Sequence, residues 1–464
     1  MRFRSAFLLT LCFNATIVLV DKGAGMLIYW IMRDDPGTKG RYDLITILPI
    51  LLMTLANQGL ASSIVYFTRR NEVDIRTAGE TTGAIAWISG IVVGGLTLAV
   101  LWLWSLIDPQ ANLPSIGYIL PILFTVPFLL TISYRNSLQL VLGRMRTYNL
   151  IHLLPSLLFL PSFLLAYFVF SEREEKFAGI LARLIPAIIV AAVVVWLMRE
   201  QVSFRFRVNW SFYKRALSFG WRANVNSTLT YLNHRIDYFW MYPMLTLLGG
   251  ASPEQAMVMV GLYGLAVTLA ELIWYVPDAL RDLLFSKVAG LPKSEARLFT
   301  PVVCRNALLV CIVVGAGLFA VHDLGFSLFF GKAWAEKWAP DVTPSFAILL
   351  IGTASFTVAK IIQSDLAARG KLNACIGLGS IVLVSMTVLD LYLVPSYGPV
   401  GAALGSSIAY LLSAIASVFV YVRSVRIRFS QLLIPHREDL QHYAEVLQGL
   451  RARFGGKRDA PKES

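Results

Sequence analysis

The sequence predicts an all-α polytopic membrane protein: twelve transmembrane helices in two pseudo-repeated six-helix bundles around a central cavity. Three observations predict it. Of the 464 residues, 56% are hydrophobic and only 15% charged, with mean hydropathy +0.64; a soluble domain is about half apolar and about a quarter charged. The apolar residues arrive in blocks of about 20 or more, enough to cross roughly 30 Å of hydrocarbon. Lys and Arg alternate between successive connections, as the positive-inside rule requires.

The first block, MRFRSAFLLTLCFNATIVLV, is basic and then apolar, like a signal peptide. Its apolar run continues past Asp21 and Lys22 to Trp30, too long for a cleaved leader. It reads as span 1, residues 7–32. Further spans are expected at 43–67, 82–107, 116–138, 149–170, 178–198, 216–248, 257–284, 302–321, 343–366, 373–394 and 400–422. Arg2 and Arg4 precede span 1, and Arg69, Arg70 and Arg76 follow span 2. Arg135, Arg144 and Arg146 follow span 4; Arg199, Arg205, Arg207, Lys214 and Arg215 follow span 6. Arg281, Lys287, Lys293 and Arg297 follow span 8, Arg369 and Lys371 span 10, and Arg423, Arg426 and Arg428 span 12. The opposite loops DPQANLPSIG, GGASPEQ and PSYGP contain neither Lys nor Arg. Both termini are therefore expected in the cytoplasm. The net charge of +13 reports topology and attraction to anionic lipids, not a nucleic-acid surface.

The expected organisation is an N-terminal bundle over 1–200, a basic cytoplasmic linker over 201–215, a C-terminal bundle over 216–425 and a basic tail over 426–464. The tail segment IPHREDLQHYAEVLQGLRARFG spaces its apolar residues for a surface helix. An outer loop is expected at 322–342. The halves echo each other. GRYDLITIL at Gly40 resembles GLYGLAVTLA at Gly261, an offset of 221 (261 − 40). LGRMRTYN at Gly143 resembles ARGKLN at Gly370, offset 227 (370 − 143), and AGILAR at Gly179 resembles VGAALGS at Gly401, offset 222 (401 − 179). Near-constant offsets in the same order point to duplication, with span 1 equivalent to span 7. Transporters built from such repeats place substrate between the halves.

A charge at mid-membrane costs about 2.5–3.5 kcal/mol on insertion scales and faces a cavity or a partner. Span 7 carries several polar groups over 222–238. At helical spacing, Asn224, Thr228, Tyr231, Arg235, Tyr238 and Tyr242 form one stripe, and Thr230, Asn233, His234 and Asp237 another. Span 1 places Thr10, Asn14, Asp21 and Gly25 on one face, with Lys22 beside it. Span 8 aligns Gly264, Thr268, Glu271, Tyr275 and Asp278. Lys22, Arg235, Asp21 and Glu271 are the deepest charges, read as cavity groups against a buried structural pair. Arg222 is an anchor or a capture group at the cytoplasmic mouth, and Lys360 and Asp365 snorkel or face the cavity. His234 suits a satisfied interior histidine, Asp278 a local pair with Arg281, and Asp390 the outer interface. Candidate anion-binding cations are Lys22, Arg235, Arg222 and Lys360, because a guanidinium fork matches phosphate oxygens. Asp21, Asp237 and Glu271 are candidate carboxylates for a coupling H⁺ or Na⁺, and Asn14, Asn224, Tyr231 and Asn233 polar wall residues.

Other chemistry is not encoded. Cys12, Cys304, Cys311 and Cys375 lie in spans without CxxC or CxxH spacing, so they read as small packing residues. The sequons at Asn14 and Asn226 lie within spans. GFSLFFGKA at Gly325 lacks Walker A spacing and the hydroxyl after Lys332. No cofactor is expected, and the five histidines are scattered.

LNHRIDYFWMYPMLTLLGG followed by VGLYGLAVTLAELIWYVPDAL resembles the span 7–8 region of polysaccharide flippases: an [LY]N-x-R-x-D segment, V-G-x-Y, then a proline. LAARGKLN followed by LYLVPSYGPVGAALGSSIAYL resembles their basic turn and P-x-x-G-x-x-G-A-A segment. The resemblance is to the O-antigen and polysaccharide branch of the multidrug/oligosaccharidyl-lipid/polysaccharide exporter superfamily, and covers the chain through residue 425. It implies an alternating-access flippase of the bacterial inner membrane, moving an undecaprenyl-diphosphate-linked oligosaccharide between leaflets. Lys22, Arg235, Asp237 and Glu271 would then line a cationic cavity between spans 1, 2, 7 and 8. Peptidoglycan-precursor flippases of the superfamily carry two further C-terminal spans, so the twelve expected here point away from that role. Two other readings compete: a drug/cation antiporter, which would favour an acidic cavity, and a membrane subunit of an exopolysaccharide export machine, docking through the basic tail to a polymerase or other export machinery. A membrane enzyme would need a larger outer loop.

Overall fold

The computed structural model describes residues 3–107, 116–169, 175–203, 205–275, 277–278, 293–427 and 429–433, and among these contains no strand. The expected tail helix, the loop at 108–115 and the Asp278–Arg281 pairing fall wholly or partly outside them. Nine described helices are long and apolar enough to cross a membrane by themselves. The other spans are irregular, each for a physical reason.

Helix α1 (Phe3–Ile31) turns at Asp35, which caps α2 (Pro36–Ala56): Asp35 accepts from Thr38 N at 3.1 Å and Thr38 Oγ1 at 2.7 Å, with Pro36 in the first turn, where its missing N–H costs nothing. Span 2 continues, after a 44° bend, as α3 (Leu60–Arg69). The bend is a built joint. Tyr134 Oη donates to Asn57 O at 2.8 Å, and Gln58 bridges Ser89 Oγ at 2.9 Å and Tyr213 Oη at 2.7 Å. Helices α4 (Ile75–Ile107), α5 (Ile116–Val141), α6 (Met145–Val169) and α7 (Glu175–Leu197) complete the first six spans.

Span 7 is α8 (Trp210–Leu232), α9 (Ile236–Pro243) and a π-helical turn over Met244–Leu248. It is too polar to be counted by hydropathy. Span 8 is α10 (Pro253–Ala270), which tightens into a 3₁₀ turn at Glu271–Trp274. Then come α11 (Lys293–Phe330) and α12 (Lys332–Ala368). The expected outer loop at 322–342 is instead helical: Gly331, at φ +96°, reverses the chain in a conformation few residues other than glycine adopt. Helix α13 (Leu372–Val425) bends at Gly398, φ +55°, between Pro395 and Pro399, and so supplies spans 11 and 12. A short α14 (Phe429–Leu433) packs on α11. With α13 counted twice, the α2–α3 pair once and α8–α9 once, the spans among the described residues number twelve.

Helices α1–α7 pack among themselves, α6 on α1 and α7, α5 on α2, α4 and α7; α8–α13 form a second group centred on α12 and α13. The groups touch where α2 meets α10 and where α3 meets α8. Both contacts are made by glycines. A Cβ at Gly40 would lie 2.2 Å from Met257 O, and one at Gly261 2.0 Å from Pro36 O. At the other end a Cβ at Gly59 would lie 2.0 Å from Gly220 O. Glycines let membrane helices approach at backbone distance. Gly40 and Gly261 are also the equivalent residues of the sequence repeat, so the duplication meets itself at this contact. The space between the two glycine contacts is the cavity.

Candidate functional site

The cavity is about 540 Å³ and reaches from α1 to α12. Its wall is organised by the break between α8 and α9. Asn233 Nδ2 donates to Gly379 O at 3.1 Å, and Tyr410 Oη donates to Asn233 O at 3.0 Å. These bonds hold an interruption that the local sequence, lacking Gly and Pro, does not demand. His234 and Arg235 are turned to the cavity, while Asn233 and Asp237 are buried on the other side.

Arg235 makes a two-pronged pair with Glu271, at 2.7 Å (Nη1–Oε1) and 3.2 Å (Nη2–Oε2). Lys22 Nζ reaches the same Oε2 at 3.0 Å. One carboxylate thus serves two cations, from three different spans. The side chains are 25% (Arg235), 29% (Lys22) and 11% (Glu271) exposed, so the carboxylate is the sheltered partner. Lys360 Nζ pairs with Asp278 at 2.8 Å and lies 4.1 Å from the Trp274 ring centroid. Tyr231 Oη donates to Ile47 O at 2.8 Å, and His234 Nδ1 lies 2.6 Å from Thr230 O with its ring edge-on to Trp274. Three wall cations (Lys22, Arg235, Lys360) face two carboxylates (Glu271, Asp278), a net +1 before His234 is counted.

Of the residues singled out in the sequence, Lys22, Arg235, Lys360, Glu271 and Tyr231 converge on this wall. Asp21 is exposed and directed to Ser156 and Arg183 of the first six spans. Arg222 is exposed, its guanidinium 5.1 Å from the Trp221 ring, and is not part of the wall. Asn14 is exposed on α1 and Asn224 half-buried on α8, neither on the wall. The wall draws on both stripes expected along span 7, Tyr231 and Arg235 from one and Thr230 and His234 from the other. Asp278 pairs across to Lys360. Cys304, Cys311 and Cys375 are buried free thiols as expected of packing residues, whereas Cys12 is exposed.

A second polar cluster lies among α9, α10 and α13. Asp237 Oδ2 accepts from Tyr263 Oη at 2.6 Å and Ser406 Oγ at 3.4 Å, and Oδ1 from Tyr238 N at 2.9 Å. Asp390, expected at the outer interface, is fully buried instead, and neither carboxylate oxygen has a hydrogen-bond partner among the described residues. It abuts Gly405, where a Cβ would come within 2.3 Å of Oδ1. Further charged groups escaped the sequence reading, Lys39 and Arg183 among them. Lys39, 3% exposed, is ion-paired to Asp43 and sits 3.6 Å from the Tyr29 ring centroid; Tyr29 Oη donates to Asp43 at 3.0 Å. Arg183 lies over Phe159 at 4.5 Å, with Nε unpartnered. Arg183 is a lone cation deep in span 6, the signal already applied to span 1; Lys39 was hidden because span 2 begins earlier than its hydropathy suggests. Among the described residues no group of three His, Cys, Asp or Glu is placed to hold a metal ion.

No family model matches the sequence. A curated relative, the capsular polysaccharide biosynthesis protein CapF of Staphylococcus aureus, is 26% identical over 151 residues, 32% of this chain and only 37% of that protein's length. Solved structures match over nearly the whole chain. The lipid II flippase MurJ in an inward closed conformation gives a TM-score of 0.69 at 14% identity, covering 97% of this chain and 94% of that one. A MATE in complex with MaL6 gives 0.64 at 14% identity, over 92% and 96%. The Vibrio cholerae MATE transporter VcmN, as a D35N mutant, gives 0.58 at 15% identity, over 91% and 98%. The chain is therefore a multi-pass membrane protein with the fold of the MurJ and MATE transporters.

Proposed function

We propose that the protein is a flippase of the polysaccharide branch of this superfamily. It moves an undecaprenyl-diphosphate-linked oligosaccharide across the bacterial cytoplasmic membrane by alternating access between its two helix groups. One observation carries the reading: Lys22 and Arg235, from different spans, converge at 2.7–3.2 Å on a single carboxylate in an interior cavity. Two cations on one monovalent counter-ion leave positive charge where a diphosphate can use it. The CapF match supports a glycan-related substrate. The alternating loop charges support an orientation with both termini in the cytoplasm, so the Gly40–Gly261 contact closes the outer end. The basic rim would attract anionic lipids, and the tail would offer a contact for a polymerase or other export machinery.

The coupling ion, H⁺ or Na⁺, is assigned to the Asp237–Asp390 cluster. A fully buried carboxylate without a partner is costly; a proton or a small cation removes that cost, and Ser406 and Tyr263 Oη supply further oxygens. The test is a flip assay in proteoliposomes. Access of a non-permeant lectin to a labelled undecaprenyl-diphosphate oligosaccharide should require the protein and fall at least tenfold in Arg235→Gln. A second reading, a cation antiporter, draws on Glu271 and Asp278 in the wall. Drug efflux lost in Glu271→Gln, with no flipping across several glycans and gradients, would replace the first reading with the second.

A further inference from the structure

Resting on that reading, we infer that Glu271 is a built-in counter-ion that the substrate's diphosphate must displace, and that this exchange both selects a diphosphate and releases α1. Glu271 holds Arg235 through both oxygens and Lys22 through one. The cations a substrate anion needs are thus already occupied by an anion of the protein. A ligand with a single negative charge would replace one carboxylate by another and gain little after losing its own water. A diphosphate brings at least two charges and several oxygens. It can satisfy the Arg235 fork and the Lys22 ammonium together, which one monovalent group cannot. Glu271 then acts as a threshold: it penalises monovalent anions while admitting divalent ones, a repulsive device for specificity.

The same exchange has a mechanical consequence. Lys22 lies on α1, which packs chiefly against α6, and residues 12–23 of α1 are exposed or half-buried, none buried. The Lys22–Glu271 bond is a cross-tie from this loosely held helix segment to the end of α10. Arg235, by contrast, sits at a break fixed by Gly379 and Tyr410. When diphosphate takes both cations, the direct tie between α1 and α10 is exchanged for one through a mobile ligand, while Arg235 stays anchored. The side of the cavity that yields is therefore the α1 side.

The experiment uses purified full-length protein in nanodiscs in slightly acid buffer, where inorganic phosphate is chiefly monovalent and inorganic pyrophosphate divalent, with these two anions as probes and calorimetric binding as readout. Wild type should bind pyrophosphate at least tenfold more tightly than phosphate. Glu271→Gln should bind both more tightly, with the larger gain for phosphate, so that the ratio collapses toward unity. If this variant does not fold, Glu271→Asp, whose shorter arm cannot serve both cations, should show the same change more weakly. Pyrophosphate should also speed hydrogen exchange over residues 12–31 of wild type, and not in Glu271→Gln, where the tie is already cut. Equal binding by wild type and the variants, or weaker binding by the variants, overturns the counter-ion role and leaves the flippase reading standing. Failure of every form to bind either anion overturns both.

Discussion

Substitution of Gly40 by alanine should open the α2–α10 contact, which on the proposed orientation closes the outer end. The added Cβ would sit 2.2 Å from Met257 O, 2.9 Å from Gly261 N and 3.2 Å from Met257 C. A carbon–oxygen contact is ordinarily no shorter than about 3.3 Å, so α2 and α10 must part by about 1 Å. Both obstructing groups are backbone and cannot turn aside. Overpacking of this kind costs about 1–3 kcal/mol. Alanine also gains about 0.5–1 kcal/mol over glycine as a helix residue. That gain is the same whether the lobes are closed or open, so it cancels from the conformational ratio. The closed state alone bears the clash, and the open population should rise about 5- to 150-fold. The assay is reaction of Thr38→Cys, at a site 7% exposed beside this contact, with a membrane-impermeant maleimide in a background lacking native cysteines. Gly261→Ala should act alike, and the double variant should fall short of additive because the two residues touch. Gly317→Ala, whose Cβ would meet nothing within 4 Å, is the control. Unchanged labelling of folded Gly40→Ala would refute the reasoning: the outer end would not open, or would not close at these glycines.

Three further outcomes are expected. Asp390→Asn should stabilise the protein against thermal unfolding in alkaline buffer by on the order of 1–3 kcal/mol, since there a buried unpaired charge becomes an amide. It should also remove the dependence of flipping on a Na⁺ or pH gradient; lost stability with coupling intact would remove Asp390 from the ion site. Asp74 accepts from Thr77 N at 2.9 Å at the start of α4, and this backbone hydrogen bond holds its carboxyl below the usual range. Asp74→Ala should cost roughly 0.5 kcal/mol at neutral pH, the low end for an exposed cap. Because the folded pKa is lowered, the contribution is present above about pH 4 and disappears as pH falls through the folded value; unfolding midpoints of the two proteins should converge in acid. Lys360→Met should leave Asp278 without this cation and slow flipping several-fold without loss of expression, as read by the lectin assay.

The number of spans was legible because it depends on quantities summed over many residues. Twenty apolar positions in a row survive local irregularity. Site geometry depends on single residues and did not survive it. Nothing in the local sequence announces the break at Asn233–Arg235, which tertiary bonds from Gly379 and Tyr410 hold. Arg235 and Asp237 face different sides, as residues two apart on a helix do, but Asp237 meets Tyr263 and Ser406 rather than the cavity. Asp390 was placed by its distance from PSYGP, but the helix continues through that segment to its bend at Gly398, which buries the carboxylate. Similarly, HDLGFSLFFGKAWAEKW looked like a loop by its polarity, yet a single positive-φ glycine at 331 lets two helices abut.

The two polar clusters are not independent, because they share the break in span 7. Arg235 is the last residue before α9 and Asp237 the second residue within it. Arg235 looks to Glu271 and the cavity; Asp237 looks to Tyr263 and Ser406, towards Asp390. A two-residue separation across a joint lets a change at one be felt as reorientation at the other, and the bonds at Asn233 fix the pivot. On the proposed mechanism, an ion at Asp237 and Asp390 then acts on the lipid diphosphate through backbone geometry, without sharing a ligand with it. The glycine contacts at either end of the cavity are steep and short-ranged, and no ligand exchanges with them. The ionic tie in the middle is exchangeable. Substrate can therefore loosen the centre of the interface, but parting its ends requires movement of α8, which runs into this joint, or of α10, whose end carries Glu271.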